Sequence, residues 1–148
     1  MKKHAIIPIF IPHIGCPCQC VFCNQHLITA RTEIPTVESV AHTIDAHLST
    51  LKGRNLSLEV AFYGGSFTGI PMESQNKYLE LAYSYKQSGL IDKIHMSTRP
   101  DYITVEILDN LKKFDVDTIE LGVQSFDDDV LSACKRGHTK VADRKSVV

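Results

Sequence analysis

The sequence predicts an α/β fold: about four βα units laid on a parallel sheet, which together make an open, partial (βα) barrel. Two observations predict it. Short apolar runs alternate along the chain with stretches of helical periodicity, the pattern of right-handed βαβ crossovers. Each apolar run also leads into an unusual polar or glycine-rich segment, and in parallel sheets function gathers in the loops beyond the carboxyl ends of the strands.

Residues 5–11 are rich in Ile and read as a first strand covered on both faces. Met-Lys-Lys ahead of this run superficially resembles a signal sequence, but Pro8 and Pro12 interrupt it and no small-residue cleavage site follows. After a cysteine-rich loop, Val37, Val40, Ala41, Ile44, Leu48 and Leu51 recur at helical spacing, with Thr36 as N-cap and Gly53 as stop. Residues 56–63 form the second strand and end in Gly64, Gly65 and Ser66. Pro71 opens a helix that carries Leu79, Ala82 and Tyr85 and stops before Gly89.

A short third strand covers 93–98 and is broken by Arg99-Pro-Asp. Ile103, Ile107, Leu108, Leu111 and Phe114 mark the next helix. Residues 118–123 are the fourth strand, and 127–135 begin a fourth helix with acids at its N-terminus, where the macrodipole favours them. Residues 143–148 break the apolar rhythm and start no element that the pattern identifies. The nucleotides GATCGGAAGAGCGTCGTG encode them and resemble the start of a common sequencing adapter. The segment is therefore read as a non-native tail, and residues 1–142 as the N-terminal part of the domain, truncated before the barrel closes.

A chain of 148 residues with 43% hydrophobic and 22% charged residues is long enough, and apolar enough, for one globular domain with a core. A net charge of −1 makes no electrostatic case for nucleic acid, without excluding a local basic patch. No stretch is long enough to span a bilayer, so no membrane partner is expected. Four of the five cysteines crowd one loop, which suits metal binding in a reducing compartment better than a disulfide framework. The expected location is cytoplasmic.

In that loop Cys16, Cys20 and Cys23 follow a Cys-x3-Cys-x2-Cys spacing. Thiolates are soft ligands, and iron–sulfur clusters and zinc are their usual partners. Three ligands leave one coordination position open, which separates a reactive site from a structural one. Cys18 lies between them and leaves a second reading open, a non-catalytic four-cysteine zinc or iron–sulfur protein. His42 and His47 are five apart and share no helix face, and Cys134 and the Tyr78–Tyr85 pair read as packing; His13 reads as a hydrogen-bond donor to metal-bound sulfur or as packing, and His138 as a substrate contact or a surface residue.

With Phe22 before the last cysteine, the loop resembles that of the radical S-adenosylmethionine (radical SAM) superfamily. The segment Phe-Tyr-Gly-Gly-Ser-Phe at 62–67 is similar to that superfamily's glycine motif after the second strand. Ser-Thr-Arg-Pro-Asp at 97–101, Glu-Leu-Gly-Val-Gln-Ser at 120–125 and Arg-Gly-His-Thr at 136–139 resemble its Elongator-like branch, which includes the catalytic subunit of a tRNA-modifying complex. Oxygen-independent coproporphyrinogen oxidases are more distant relatives, and their reaction is the alternative enzymatic reading.

The resemblance implies a partial barrel of the radical SAM type and a [4Fe–4S] cluster on Cys16, Cys20 and Cys23. The methionyl end of SAM would chelate the open iron, and reductive cleavage would give a 5′-deoxyadenosyl radical that abstracts hydrogen from substrate. An electron donor of flavodoxin or ferredoxin type is implied, with tRNA as a candidate substrate. Gly64 and Gly65 would admit the methionyl group, with Ser66 standing where many members have an acid. Arg136 would pair with the SAM carboxylate, while Ser97, Arg99 and Gln124 would share the carboxylate, amino and ribose contacts. Glu120 joins the candidate site as a barrel-facing acid that needs a partner, an arginine being one choice.

Overall fold

A computed structural model describes residues 3–12, 16, 18–23 and 33–147. Strands β1 (Lys3–Ile11), β2 (Leu56–Gly64), β3 (Lys93–Thr98) and β4 (Thr118–Leu121) form one parallel sheet in sequential order. Helices α1 (Val37–Leu51), α2 (Met72–Gln87) and α3 (Val105–Lys113) are the three crossovers, and α4 (Asp128–Ala133) and α5 (Lys140–Val147) follow β4. No helix among the described residues is long and apolar enough to cross a membrane.

Local chemistry sets the helix ends. Thr36 caps α1 by accepting from the Ser39 N–H at 3.2 Å, and Thr104 caps α3 by accepting from the Ile107 N–H at 3.2 Å. The Asp127 carboxylate accepts from the N–H groups of Asp129 and Val130 at the start of α4. Past α1, Gly53 takes a φ of +79°, a conformation open to glycine at no steric cost.

One face of the sheet is sealed by the helices. Ile7, Ile9, Ile11, Val60, Phe62, Ile94 and Met96 all lie on it and are buried, packed with Val40, Ile44, Leu79, Ala82, Ile107 and Leu111. Fully burying such a side chain is worth about 1.5–3 kcal/mol, so this layer dominates the fold's stability. The expectation that β1 is covered on both faces is corrected. Ile6 and Phe10 point to the other face and remain 42% and 48% exposed.

The C-terminal segment also differs from expectation, because α5 continues regular structure through Val147. The Asp128 carboxylate accepts from the Lys140 N–H at 2.9 Å, and the Thr139 carbonyl accepts from Ala142 N–H at 3.0 Å, which starts the helix. Conformation is independent of origin: residues of ordinary helix propensity extend a turn already begun.

Candidate functional site

All four strands run in one direction, so their carboxyl ends share a rim. The cysteine loop leaves β1, Gly65 and Ser66 follow β2, Arg99 follows β3, and Gly122 to Gln124 follow β4. Within the loop, the Cys23 N–H donates to the Cys20 carbonyl at 3.0 Å and makes a turn. The neighbouring Val21 N–H donates to the Cys134 carbonyl at 3.1 Å, tying the loop to the end of α4. All five cysteines are free thiols, and Cys20 is buried.

Two buried arginines organise the thiols. Arg99 sits in a fork with Asp101, donating from Nε at 2.9 Å and Nη2 at 2.8 Å, while Nη1 reaches Cys16 Sγ at 3.8 Å. Burial opposes its charge, but the bidentate Asp101 carboxylate outweighs burial and holds the guanidinium pKa above its ordinary value. Arg136 donates from Nη1 to Cys20 Sγ at 3.6 Å, from Nη2 to the Gly122 carbonyl and from Nε to His138 Nε2 at 3.0 Å. Because Nε2 of His138 accepts, the neutral ring carries its proton on Nδ1. Burial, the main influence on it, pushes that imidazole's pKa down.

The remaining loop thiol has another neighbour. A Cβ on Gly137 would overlap Cys18 Sγ, so the Cys18 thiol lies directly on that glycine, whose φ of +82° is left-handed. Among the described residues, no three His, Cys, Asp or Glu side chains are gathered as ligands of one metal ion. Thiolates on separate irons of a cluster need no such convergence. Three soft donors on one loop, with guanidinium groups balancing two of them and Cys18 engaged elsewhere, fit an iron–sulfur cluster held by Cys16, Cys20 and Cys23.

The other sequence candidates are spread around this centre. Gly64 has a φ of +114°, and a Cβ there would strike the carbonyl oxygen of Ile11, so the close packing of β1 on β2 already demands glycine. Ser66 is buried; its hydroxyl bonds Thr98 Oγ1 at 2.8 Å and accepts from the Arg99 N–H at 3.2 Å. Gln124 is exposed at a φ of +72° and closes on Gly122 together with Arg136: a Cβ on Gly122 would lie 3.4 Å from Gln124 Nε2 and 3.1 Å from Arg136 Nη2. Ser97 and Glu120 are register partners on β3 and β4. Among the described residues Glu120 forms no ion pair with an arginine; its carboxylate faces His95 Nε2 at 3.4 Å. Arg136 lies beyond the end of α4, brought back to the rim by Lys135 at a φ of +54°.

Sequence reasoning missed Asp101, His95 and Glu59. Asp101 stands two residues after Arg99 across a proline turn, a spacing that could have suggested the fork. Glu59 and His95 were visible as lone titratable residues inside apolar strands. His13 lies outside the described residues.

Comparison with known proteins bears on the family and the fold. The family model described as "Radical SAM superfamily" matches residues 10–143. Elongator complex protein 3 of Saccharomyces cerevisiae is 28% identical over 127 residues, covering 74% of this chain and 21% of that protein. The oxygen-independent coproporphyrinogen-III oxidase-like protein HemZ of Bacillus subtilis is 29% identical over 146 residues, covering 94% and 29% respectively. The tRNA uridine(34) acetyltransferase of Methanocaldococcus infernus is 25% identical over 129 residues, covering 76% and 22%. The chain thus spans less than a third of the length of these relatives. A solved structure of M. infernus Elp3 with an N-terminal deletion shares the fold at a TM-score of 0.66 and 20% identity, covering 99% of this chain and 34% of that one. The sheet is therefore four βα units of a radical SAM barrel, and the chain belongs to the radical SAM superfamily.

Proposed function

We propose that this chain carries the cluster and SAM site of a radical SAM enzyme, with Cys16, Cys20 and Cys23 each holding one iron of a [4Fe–4S] cluster. When bound, the cluster supplies the electron that cleaves SAM to methionine and a 5′-deoxyadenosyl radical. One observation carries the reading: Arg99 and Arg136 donate to Cys16 and Cys20, while Cys18 is turned onto Gly137.

The chain's own groups have distinct tasks. Arg99, locked by Asp101, places fixed positive charge beside Cys16 at no reorganisation cost. Arg136 uses three of its five N–H donors internally, and the remaining two suit the SAM carboxylate. Gln124, presented over Gly122, and Ser97 on the rim serve the amino or ribose groups. Ser66 acts from behind, since its hydroxyl is spent on Thr98 and Arg99; its backbone and that of Gly65 face the methionyl end.

A tRNA nucleoside is the substrate favoured by the similarity to the tRNA uridine(34) acetyltransferase of M. infernus. A porphyrinogen-type substrate is the second reading, favoured by the match to the HemZ protein across 94% of the chain. A flavodoxin- or ferredoxin-type protein supplies the electron. The test is product analysis: anaerobically reconstituted chain, incubated with SAM and dithionite, yields methionine and 5′-deoxyadenosine in equal amounts. Intact SAM after full cluster loading would overturn the proposal. RNA retained during purification then separates the tRNA reading from the porphyrinogen one.

A further inference from the structure

The sheet face opposite the helices carries a continuous polar row. His4 Nε2 meets Glu59 Oε2 at 2.9 Å, Glu59 Oε1 meets His95 Nδ1 at 2.6 Å, and His95 Nε2 stands 3.4 Å from Glu120 Oε2. The strand register explains why the four align. His4 pairs with Ser57, Glu59 with Lys93 and His95 with Thr118, so each side chain meets the residue two beyond its own partner. The row climbs by a constant stagger from the start of β1 to the rim end of β4, which leads into the loop where Arg136 grips Gly122.

Counting donors and acceptors leaves one gap. Both oxygens of Glu59 accept, which places the proton of a neutral His95 on Nδ1 and makes its Nε2 an acceptor. His95 is only 9% exposed, and its Nε2 is buried without a hydrogen-bond partner among the described residues. It faces the Glu120 carboxylate at 3.4 Å with no hydrogen bond joining the two, so with a neutral ring the row is one donor short at the rim. Glu120 is 62% exposed and keeps an oxygen open to a ligand.

The surroundings narrow the ligand. Tyr63 packs edge-on to His95 with ring centroids 5.5 Å apart, and the half-exposed ring of Phe10 lies 6.4 Å from that of Tyr63. The potential here is negative: after burial, the charges of Glu120 and Glu59 push the Tyr63 phenol upward. Aromatic rings beside an exposed carboxylate suit a flat group with N–H donors and repel anions.

We propose that the rim end of this row is a substrate subsite for a flat, nitrogenous, hydrogen-bond-donating group, with Glu120 as its contact and His95 and Glu59 as positioning residues. The subsite rests on the proposed function only in taking this face as the substrate side. Benzamidine and benzoate, one flat ring bearing opposite charges, test it by NMR titration of the full chain without SAM or reductant. Benzamidine is expected to shift the Tyr63 and His95 ring signals and benzoate to leave them in place. Glu120→Gln should weaken benzamidine binding about tenfold, the usual worth of a charge-assisted hydrogen bond. Glu59→Ala, which removes the acceptor altogether, should abolish the Nδ1–H signature in the His95 ¹⁵N shifts and weaken benzamidine as well, whereas a purely structural Glu59 would leave the tautomer unchanged. Silence with benzamidine, equal binding of benzoate, or an unaltered Glu120→Gln titration would each overturn the subsite. None of these outcomes touches SAM cleavage, and failed SAM cleavage would leave the titration intact.

Discussion

The thiol of Cys18 rests on Gly137, so close that a Cβ at residue 137 would overlap the sulfur. This contact locks the cysteine loop to the segment between α4 and α5, next to both arginines that touch the other thiols. Cys18→Ser should therefore retain a full iron and sulfide load after reconstitution, whereas Ser at residue 16, 20 or 23 should lose most of it. Gly137→Ala should cost about 1 kcal/mol from its left-handed φ alone, and more from displacing the thiol. Iron analysis of the purified variants checks both, and iron lost from Cys18→Ser would restore the four-cysteine reading.

Arg136 places positive charge against Cys20 at 3.6 Å. Net charge near an iron–sulfur cluster sets its reduction potential. Arg136→Gln should make the cluster harder to reduce, moving its midpoint to more negative values, and should weaken SAM binding about tenfold or more. Spectroelectrochemical titration and equilibrium binding read the two effects separately.

Ser66 tests a different link, from motif to core. Its hydroxyl shares Thr98 Oγ1 with Thr68, at 2.8 and 2.6 Å, in a buried cluster. Ser66→Ala should cost about 1–2 kcal/mol in urea unfolding, because Thr98 and the Arg99 N–H lose a partner. Ser66→Asp, which restores the acid common in the superfamily motif, should destabilise more, since the charge enters a site filled by neutral hydroxyls.

How far the sequence reaches depends on the range of the interaction. The strand and helix order was readable because apolar periodicity is local: Thr36 and Gly53 bound α1 as their chemistry predicts. The thiols stood out by their spacing, and Arg136 was named through the resemblance of Arg-Gly-His-Thr at 136–139. The open face was not, because Ile6 and Phe10 are as apolar as the buried Ile7 and Ile9 between and beside them. The Glu59–His95 pair joins residues 36 apart and becomes visible only once register is known. The turn that returns Arg136 to the rim depends on Lys135 adopting a positive φ, which its side chain does not announce.

Tyr85 gives a pH signature. Its hydroxyl donates to Asp45 at 2.7 Å, joining α2 to α1, and burial followed by that bond and the Asp45 charge push the phenol up to about 12. An unfolded tyrosine titrates near 10. The folded chain therefore binds more protons between about pH 10 and 12, so this contribution is whole below about pH 10 and is lost as pH rises through about 12. In urea unfolding at stepped pH, the stability gap between the parent chain and Tyr85→Phe should narrow across that window. A gap that stays constant would show that the phenol does not titrate as described.

The most direct measurement is the EPR spectrum of the reconstituted, reduced chain with and without SAM. A [4Fe–4S] signal is expected whose g values move when SAM is added, with Cys16→Ser, Cys20→Ser and Cys23→Ser losing the signal and Cys18→Ser keeping it. A fully loaded cluster whose spectrum ignores SAM would contradict the assignment of this rim as a SAM site.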